Sequence, residues 1–246
     1  MGKIDAFAVI SDIHSNVYAL EAVLRDIESR EIQQIVNLGD TLFGPIEPVR
    51  TAELLMNRSN VIHIMGNCDR YLLQSGLESP TIRYVKPLLT PETTEWLQSF
   101  KPIWIYEDLL FCHGTPSSDE TYLLEEVTAN GAVAKSVETL EAELADIPQS
   151  VLFCGHTHLQ KIVTLPSGKR IVNAGSVGLP AYEEDLPYPH VMESLTPHAR
   201  YATAKRQGDS WLVEQIAIPY DYEQAAQAAD RNGRTDYSRA IRMGKV

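Results

Sequence analysis

Five short apolar runs in this chain end abruptly in residues of the kind that hold metal ions. Residues 8–11 (Ala-Val-Ile-Ser) lead into Asp12-Ile13-His14, residues 35–38 (Ile-Val-Asn-Leu) into Gly39-Asp40, and residues 61–65 into Gly66-Asn67. Residues 110–112 (Leu-Phe-Cys) lead into His113-Gly114, and residues 151–154 (Val-Leu-Phe-Cys) into Gly155-His156-Thr157-His158. Short apolar runs bounded by turn residues read as buried strands. In open α/β sheets, ligands bind beyond the carboxyl ends of the strands. The pattern therefore demands a fold that brings five distant strand ends to one place. Glycines 39, 66, 114 and 155 beside the ligand-type residues permit the sharp turns and close backbone approach this requires. Taken singly, Gly-Asp and Gly-Asn are turn dipeptides, and Asp-x-His is an ordinary loop pair. Only Gly-His-Thr-His is unusual alone; the ordered set is what turn chemistry does not produce.

The rest of the chain supplies the frame. Residues 6–11 form a strand, and Ser15 and Asn16 can cap a helix whose Val17, Leu20, Leu24 and Ile27 fall at helical spacing. A strand at 34–38, a helix at 47–57 and a strand at 61–65 follow. Strands alternating with helices predict a largely parallel sheet with right-handed crossovers. Residues 70–101 carry short helical pieces interrupted by Pro80, Pro87 and Pro91. Strand pairs are expected at 103–106 with 109–112, and at 161–165 with 170–173 around the Pro166-Ser167-Gly168 turn. A strand at 151–154 and a helix marked by Val137, Leu140, Leu144 and Ile147 complete the middle. A last pair, 199–205 with 211–219, precedes helical sequence. The expectation is one α/β (α+β) domain over 1–246, with an insertion or lid at about 70–101 and a C-terminal hairpin and helices at about 199–246.

Composition narrows the function. With 246 residues, 44% of them hydrophobic, the chain can bury a large core unaided. No apolar run approaches the roughly 18–20 residues that span a bilayer, so no membrane partner is expected. The apolar stretch at 6–10 lies between Asp5 and Asp12 and is too short for a signal peptide. Met1-Gly2 looks like a myristoylation start, but the sixth position is Ala6 rather than Ser or Thr. Three cysteines, an odd number, fit free thiols in a reducing compartment, and a cytoplasmic location is expected. A net charge of −12 counts against a nucleic-acid partner, whose affinity comes mainly from Lys and Arg contacts to phosphate. It is compatible with a small phosphate ester held through metal ions. Charge is also uneven. Residues 119–146 hold eight acids against Lys135, and residues 231–246 hold five basic residues against Asp236. These are either two solvated faces or a contact that joins two copies into a homo-oligomer.

At this point the sequence resembles a known family. Asp12-x-His14, Gly39-Asp40, Gly66-Asn67, His113 and Gly155-His156-Thr157-His158 are similar to the five ordered motifs of the calcineurin-like metallophosphoesterase superfamily. The Asp-Ile-His-Ser-Asn start, Gly-Asn-Cys-Asp, and Asn173-Ala174-Gly175-Ser176 further resemble its short prokaryotic phosphodiesterase-like branch. The resemblance implies a four-layer αββα sandwich with two sheets face to face. It implies that Asp12, His14 and His158 hold one metal, that Asn67, His113 and His156 hold the other, and that Asp40 bridges both. Asp40, Asn67 and His113 then form the catalytic centre. Ligands without thiolate suit two divalent ions of Mn, Fe or Zn. Such a pair clamps phosphoryl oxygens and generates a bridging hydroxide that attacks phosphorus in line.

The implied activity is hydrolysis of phosphodiesters or activated phosphate esters. The alternatives are a phosphomonoesterase or protein Ser/Thr phosphatase, and a non-catalytic metal-binding scaffold. Members of the family often carry His after the metal-binding Asn; this sequence has Cys68, a departure that bears on leaving-group protonation. Cys112 and Cys154 read as core residues. His63, alternating with isoleucines, reads as core or as a support to the site, and His198 as surface. His190 is a minor candidate for a substitute acid. Asn16 beside a helix start, Cys68, and Ser176 with its neighbouring backbone are candidate substrate contacts.

Overall fold

The computed structural model describes residues 3–246; Met1 and Gly2, the pair weighed for lipidation, lie outside the described residues. In chain order the elements are β1 (Ala6–Ile10), α1 (Val17–Ser29), β2 (Gln34–Asn37), α2 (Pro48–Met56), β3 (Val61–His63), α3 (Asn67–Leu73), α4 (Pro80–Val85) and α5 (Pro91–Gln98). Then come β4 (Ile103–Tyr106), β5 (Leu109–Cys112), β6 (Glu125–Thr128), β7 (Gly131–Ala134), α6 (Val137–Glu143), β8 (Val151–Cys154), β9 (Lys161–Thr164) and β10 (Arg170–Asn173). The chain closes with β11 (Ala181–Glu184), β12 (His190–Glu193), β13 (Ala199–Gln207), β14 (Ser210–Ile218), α7 (Tyr222–Arg231) and α8 (Thr235–Met243).

Two five-stranded sheets result, in the orders β14-β13-β1-β2-β3 and β4-β5-β8-β10-β9. In the first, β1, β2 and β3 are parallel and the β13–β14 hairpin adds antiparallel beside β1. In the second, β5, β8 and β10 are parallel, flanked by antiparallel β4 and β9. Alternation along each strand decides the layers. Phe7, Val9 and Val36 of one sheet face Phe111, Phe153 and Val172 of the other in one buried cluster. Phe7 of the first sheet meets Phe111 of the second with ring centroids 5.8 Å apart, an aromatic contact across the inter-sheet layer. On the outer face of the first sheet, Ala8, Ile10 and Ile35 meet Leu20, Val23 and Ile27 of α1. On the outer face of the second, Leu110, Cys112, Leu152 and Cys154 meet Leu140 and Leu144 of α6. The order is therefore helix, sheet, sheet, helix. Cys112 and Cys154 are core side chains, 0% and 1% exposed.

The 70–101 stretch folds into α3, α4 and α5, whose caps follow the local chemistry. Ser79 and Thr90 accept backbone N–H groups of Ile82 and Thr93, and each precedes a proline at the first helical position. Two hairpins escape a reading of the sequence: β6–β7 and β11–β12. Both are two-stranded ribbons with little core to imprint an alternating pattern. Two of the five basic residues of the tail pair inside the chain, Arg234 on Asp236 and Arg242 on Glu223 and Asp230. Among the described residues, no helix is long and apolar enough to cross a membrane.

Candidate metal centre

All six parallel strands of the two sheets point their carboxyl ends to one edge, and the ligand-type residues gather there. Close backbone approach makes this possible. A Cβ on Gly39, whose φ is +114°, would fall 2.4 Å from the Gly66 nitrogen, so only glycine lets the turns after β2 and β3 meet. A Cβ on Gly155 would fall 2.0 Å from Ser11 Oγ, so glycine is also what lets the ends of β1 and β8 touch across the sheets. Asp12, His14, Asp40, His156 and His158 all adopt positive φ, between 47° and 67°. Such left-handed backbone costs a non-glycine residue on the order of 1–3 kcal/mol. It is held by bonds between loops: Asp12 N–H to Gly39 O at 3.0 Å, and His14 N–H to Asp40 O at 2.9 Å.

Two groups form. Asp12, His14 and His158 converge in one, and Asp40, His113 and His156 in the other, each with its ligand atoms within 4.8 Å of one another. Asp40 lies between them, its Oδ2 standing 3.8 Å from His14 Nε2 and 3.6 Å from His113 Nε2. Its Oδ1 accepts the Cys68 N–H at 2.9 Å, which fixes the carboxylate. Asn67, the first residue of α3, sets its Oδ1 3.0 Å from His113 Nε2.

The imidazole orientations are specific. His14 Nδ1 donates to Phe43 O at 2.7 Å, His158 Nδ1 to Leu179 O at 2.5 Å, and His113 Nδ1 to Leu38 O at 3.0 Å. His156 donates its Nε2–H to Glu120 O at 3.0 Å and leaves Nδ1 for the group. A carbonyl accepts only, so each ring in its neutral form carries its proton on the outer nitrogen and presents a lone pair inward. The inward lone pairs then face other acceptors: His14 Nε2 meets His158 Nε2 at 3.2 Å, and His113 Nε2 meets Asn67 Oδ1. Asp12 Oδ1 is buried with no hydrogen-bond partner among the described residues. Opposed acceptors and an orphan carboxylate oxygen in a buried pocket fit cations between them.

Electrostatics agree. Burial pushes the Asp12 carboxyl up, but His158, His113 and His14 outweigh it and hold the group well below the usual carboxylate range. Burial and the neighbouring His158 lower His14, and burial with His113 brings His156 down to about 4, so both rings are neutral near pH 7. Burial also acts to lower His113, but Asp40, Asp12 and Asp69 outweigh it and raise the ring.

The remaining candidates divide. Cys68 lines a cavity of about 1590 Å³ that opens over His14, Asp40, Asn67, His156 and His158. Burial, Asp40 and Asp69 push its thiol pKa up. Asn16 does not face that cavity as a substrate contact. Its Oδ1 caps α1 by accepting the Ala19 N–H at 3.1 Å, and its Nδ2 donates to Gly178 O and Tyr220 OH. Both amide hydrogens and one oxygen lone pair are already used. Ser176 also acts as a strut. Its Oγ donates to Asp12 O at 2.8 Å and accepts the Leu179 N–H, which anchors the Asp12 turn. His190 is buried, with Nδ1 donating to Tyr188 O and Nε2 bonded to Tyr122 OH at 2.9 Å, so both ring nitrogens are engaged by the protein. His63 stacks on Phe100 with centroids 4.7 Å apart, away from the ligands.

Three further residues shape the site, of which Asp69 entered the motif reading only as the end of Gly-Asn-Cys-Asp and the other two not at all. Asp69 accepts Thr41 N–H at 2.8 Å and Gly66 N–H at 3.3 Å, tying the Asp40 and Asn67 turns together. Its signal was present: an acidic residue three past a Gly that starts a helix is a capping pattern. Tyr182 sets its ring edge-on to His158 at 4.6 Å, and Tyr122 sets its ring edge-on to His156 at 4.8 Å. Neither tyrosine stands in a local pattern that would single it out.

Comparison with known proteins places this arrangement. A family model described as the calcineurin-like phosphoesterase superfamily domain matches residues 6–191. An uncharacterised protein of Methanocaldococcus jannaschii is 30% identical over 204 residues, covering 70% of this chain and 76% of that one. Among solved structures, a metallophosphoesterase from Sphaerobacter thermophilus is similar, with a TM-score of 0.71 and 21% identity over 95% of this chain and 99% of that one. A putative diadenosine tetraphosphatase shares the fold more loosely, with a TM-score of 0.53 and 16% identity over 89% of this chain and 96% of that one. With buried histidine and aspartate groups at the strand ends that the family model spans, the chain belongs to the calcineurin-like phosphoesterase superfamily, metal-dependent hydrolases of phosphoric esters.

Proposed function

We propose that this chain hydrolyses phosphodiesters and activated phosphate esters with two divalent ions held at the ends of its strands. The observation that carries the reading is the tautomer of the four histidines: each gives one N–H to a backbone carbonyl and turns a lone pair toward the aspartates. Asp12, His14 and His158 would hold one ion, Asn67, His113 and His156 the other, with Asp40 shared. The oxygen and nitrogen donors suit Mn, Fe or Zn. When bound, such ions activate water and neutralise charge on the phosphoryl oxygens.

The chain's own residues account for the preference among esters. Cys68 follows Asn67, where a proton donor would serve a poor leaving group. Burial beside Asp40 and Asp69 keeps the thiol protonated, and a thiol is a weak hydrogen-bond donor. Esters whose leaving group departs as a stable anion suit this centre better than alkyl monoesters, which favours the diesterase reading over the monoesterase. The acidic cavity favours a small ester over nucleic acid, and three unpaired thiols favour a reducing, cytoplasmic setting. The test is a Mn²⁺-reconstituted screen across nitrophenyl diesters, monoesters, nucleotides and phosphopeptides. Turnover of diesters that chelation abolishes and Mn²⁺ restores is expected; chelator-resistant turnover, or none on any ester, overturns the reading.

A further inference from the structure

Four cations line the cavity over the metal centre, and among the described residues three of them are held by carboxylates. Arg70 is clamped by Asp119 and Glu120, Lys135 by Glu143, and Arg234 by Asp236. Arg239, on α8, lines the same cavity, is exposed, and makes no ion pair or hydrogen bond among the described residues. Its helix is firmly braced. The Arg234 guanidinium lies 4.4 Å from the Tyr237 ring centroid, and its Nη1 donates to Thr81 Oγ1 at 2.6 Å, tying α8 to α4. Tyr237 OH donates to Phe43 O at 3.5 Å, the same carbonyl that receives His14 Nδ1–H. The wall that carries Arg239 is thus joined to the backbone that orients a histidine of the metal centre.

The other charges on the cavity wall are mostly acidic. Glu126, Glu183 and Glu184 line it without a cationic partner. An anionic group on a substrate, beyond the phosphoryl being cleaved, is repelled by those walls and, among the described residues, meets an unpaired guanidinium only at Arg239. At about 1590 Å³ the cavity has room for much more than one phosphoryl group. The planar guanidinium fork matches phosphate oxygens two at a time. The family match ends at residue 191, so this wall lies outside what the chain shares with that family model.

We propose that Arg239 is a specificity-determining residue that binds a second phosphate on the substrate, so that the preferred esters are those of alcohols already phosphorylated elsewhere. The inference rests on the phosphoesterase reading above. Its test compares thymidine 5′-(p-nitrophenyl phosphate) with the same ester bearing a 3′-phosphate, on the Mn²⁺-reconstituted chain. The leaving group and scissile bond are identical, so the ratio of kcat/KM reports the added phosphate alone. A charge-assisted contact predicts a ratio of roughly 10 or more for the native chain. Arg239→Gln should collapse the ratio through KM, whereas Arg231→Gln, which removes an exposed cation that does not line the cavity, should keep it. A native ratio near one, or an equal change in both variants, overturns the proposal. Calorimetric binding of thymidine 3′,5′-bisphosphate against thymidine 5′-phosphate separates the two readings. If neither ester is cleaved but the bisphosphate binds about tenfold tighter, and only Arg239→Gln removes that gain, the subsite stands and the hydrolase reading falls.

Discussion

The Nε2 atoms of His14 and His158 face each other at 3.2 Å, and each ring gives its Nδ1–H to a carbonyl on the far side. Two lone pairs at that separation repel, and a shared cation turns the repulsion into two bonds. Saturation with Mn²⁺ should therefore stabilise the fold. At a hundredfold excess over Kd the gain is about 2.7 kcal/mol, or roughly 5–10 °C in Tm for a chain of this size. His158→Ala should lose most of that rise, and EDTA should reverse it in the native chain. A native Tm indifferent to Mn²⁺ and EDTA would contradict the assignment.

Asp40 stands between the two histidine groups, and its replacement should affect both. Asp40→Ala is expected to abolish turnover and to lower the bound metal below two ions per chain. Asn67→Ala should spare the ion at Asp12, His14 and His158 better than its partner. Elemental analysis of the purified variants decides this, and two ions retained in Asp40→Ala would end the bridging assignment.

Cys68 should matter little where the leaving group needs no proton. Cys68→Ala is expected to keep nitrophenyl diester hydrolysis within about tenfold of native, with a steep dependence of rate on leaving-group pKa. Cys68→His should flatten that dependence, since a positioned imidazole acid is worth about 10²–10⁴ in rate. If the folded, metal-loaded Cys68→Ala lost more than about 10²-fold on nitrophenyl diesters, the thiol would be a direct catalytic group after all.

His63 predicts how stability responds to acid. Burial lowers its pKa to about 4, against roughly 6.5 in the unfolded chain. Between those values the unfolded state binds more protons, so this residue's contribution is fully present above about pH 6.5 and is lost as pH falls toward 4. At pH 5 the loss is about 2 kcal/mol. His63→Phe, which preserves the stack on Phe100, should reduce the difference in denaturant stability between pH 7.5 and pH 5 by that amount, measured with EDTA present in every sample. An unchanged difference would mean that the ring is not held neutral.

How far the site was legible depended on how local each signal was. The turns after β1, β2, β3, β5 and β8 could be read because strand alternation, glycine and the ligand-type residue sit within a few positions of one another. The β6–β7 and β11–β12 ribbons could not, since Gly131-Ala132-Val133-Ala134 and Ala181-Tyr182-Glu183-Glu184 carry no alternation against a core. Asn16 stood open between a helix cap and a substrate contact because the two look the same in sequence. Only the positions of Gly178 and Tyr220, more than 160 residues away, show the amide to be in use.

The sequence by itself determined the alternation of strands and helices, the order of the ligand-bearing turns and the oxygen-nitrogen character of the centre, because each follows from residue type and short-range periodicity; the layering was implied only by the family resemblance. The tertiary structure alone decided which nitrogen of each imidazole faces inward. Phe43, Leu38, Glu120 and Leu179 supply the carbonyls that select the tautomers, and each lies at least 21 residues from its histidine. It also decided that Arg70 is claimed by Asp119 and Glu120, 49 and 50 residues away, while Arg239 meets no carboxylate among the described residues. Tautomer and charge pairing depend on groups brought together across the fold, and no local pattern in a chain encodes such neighbours.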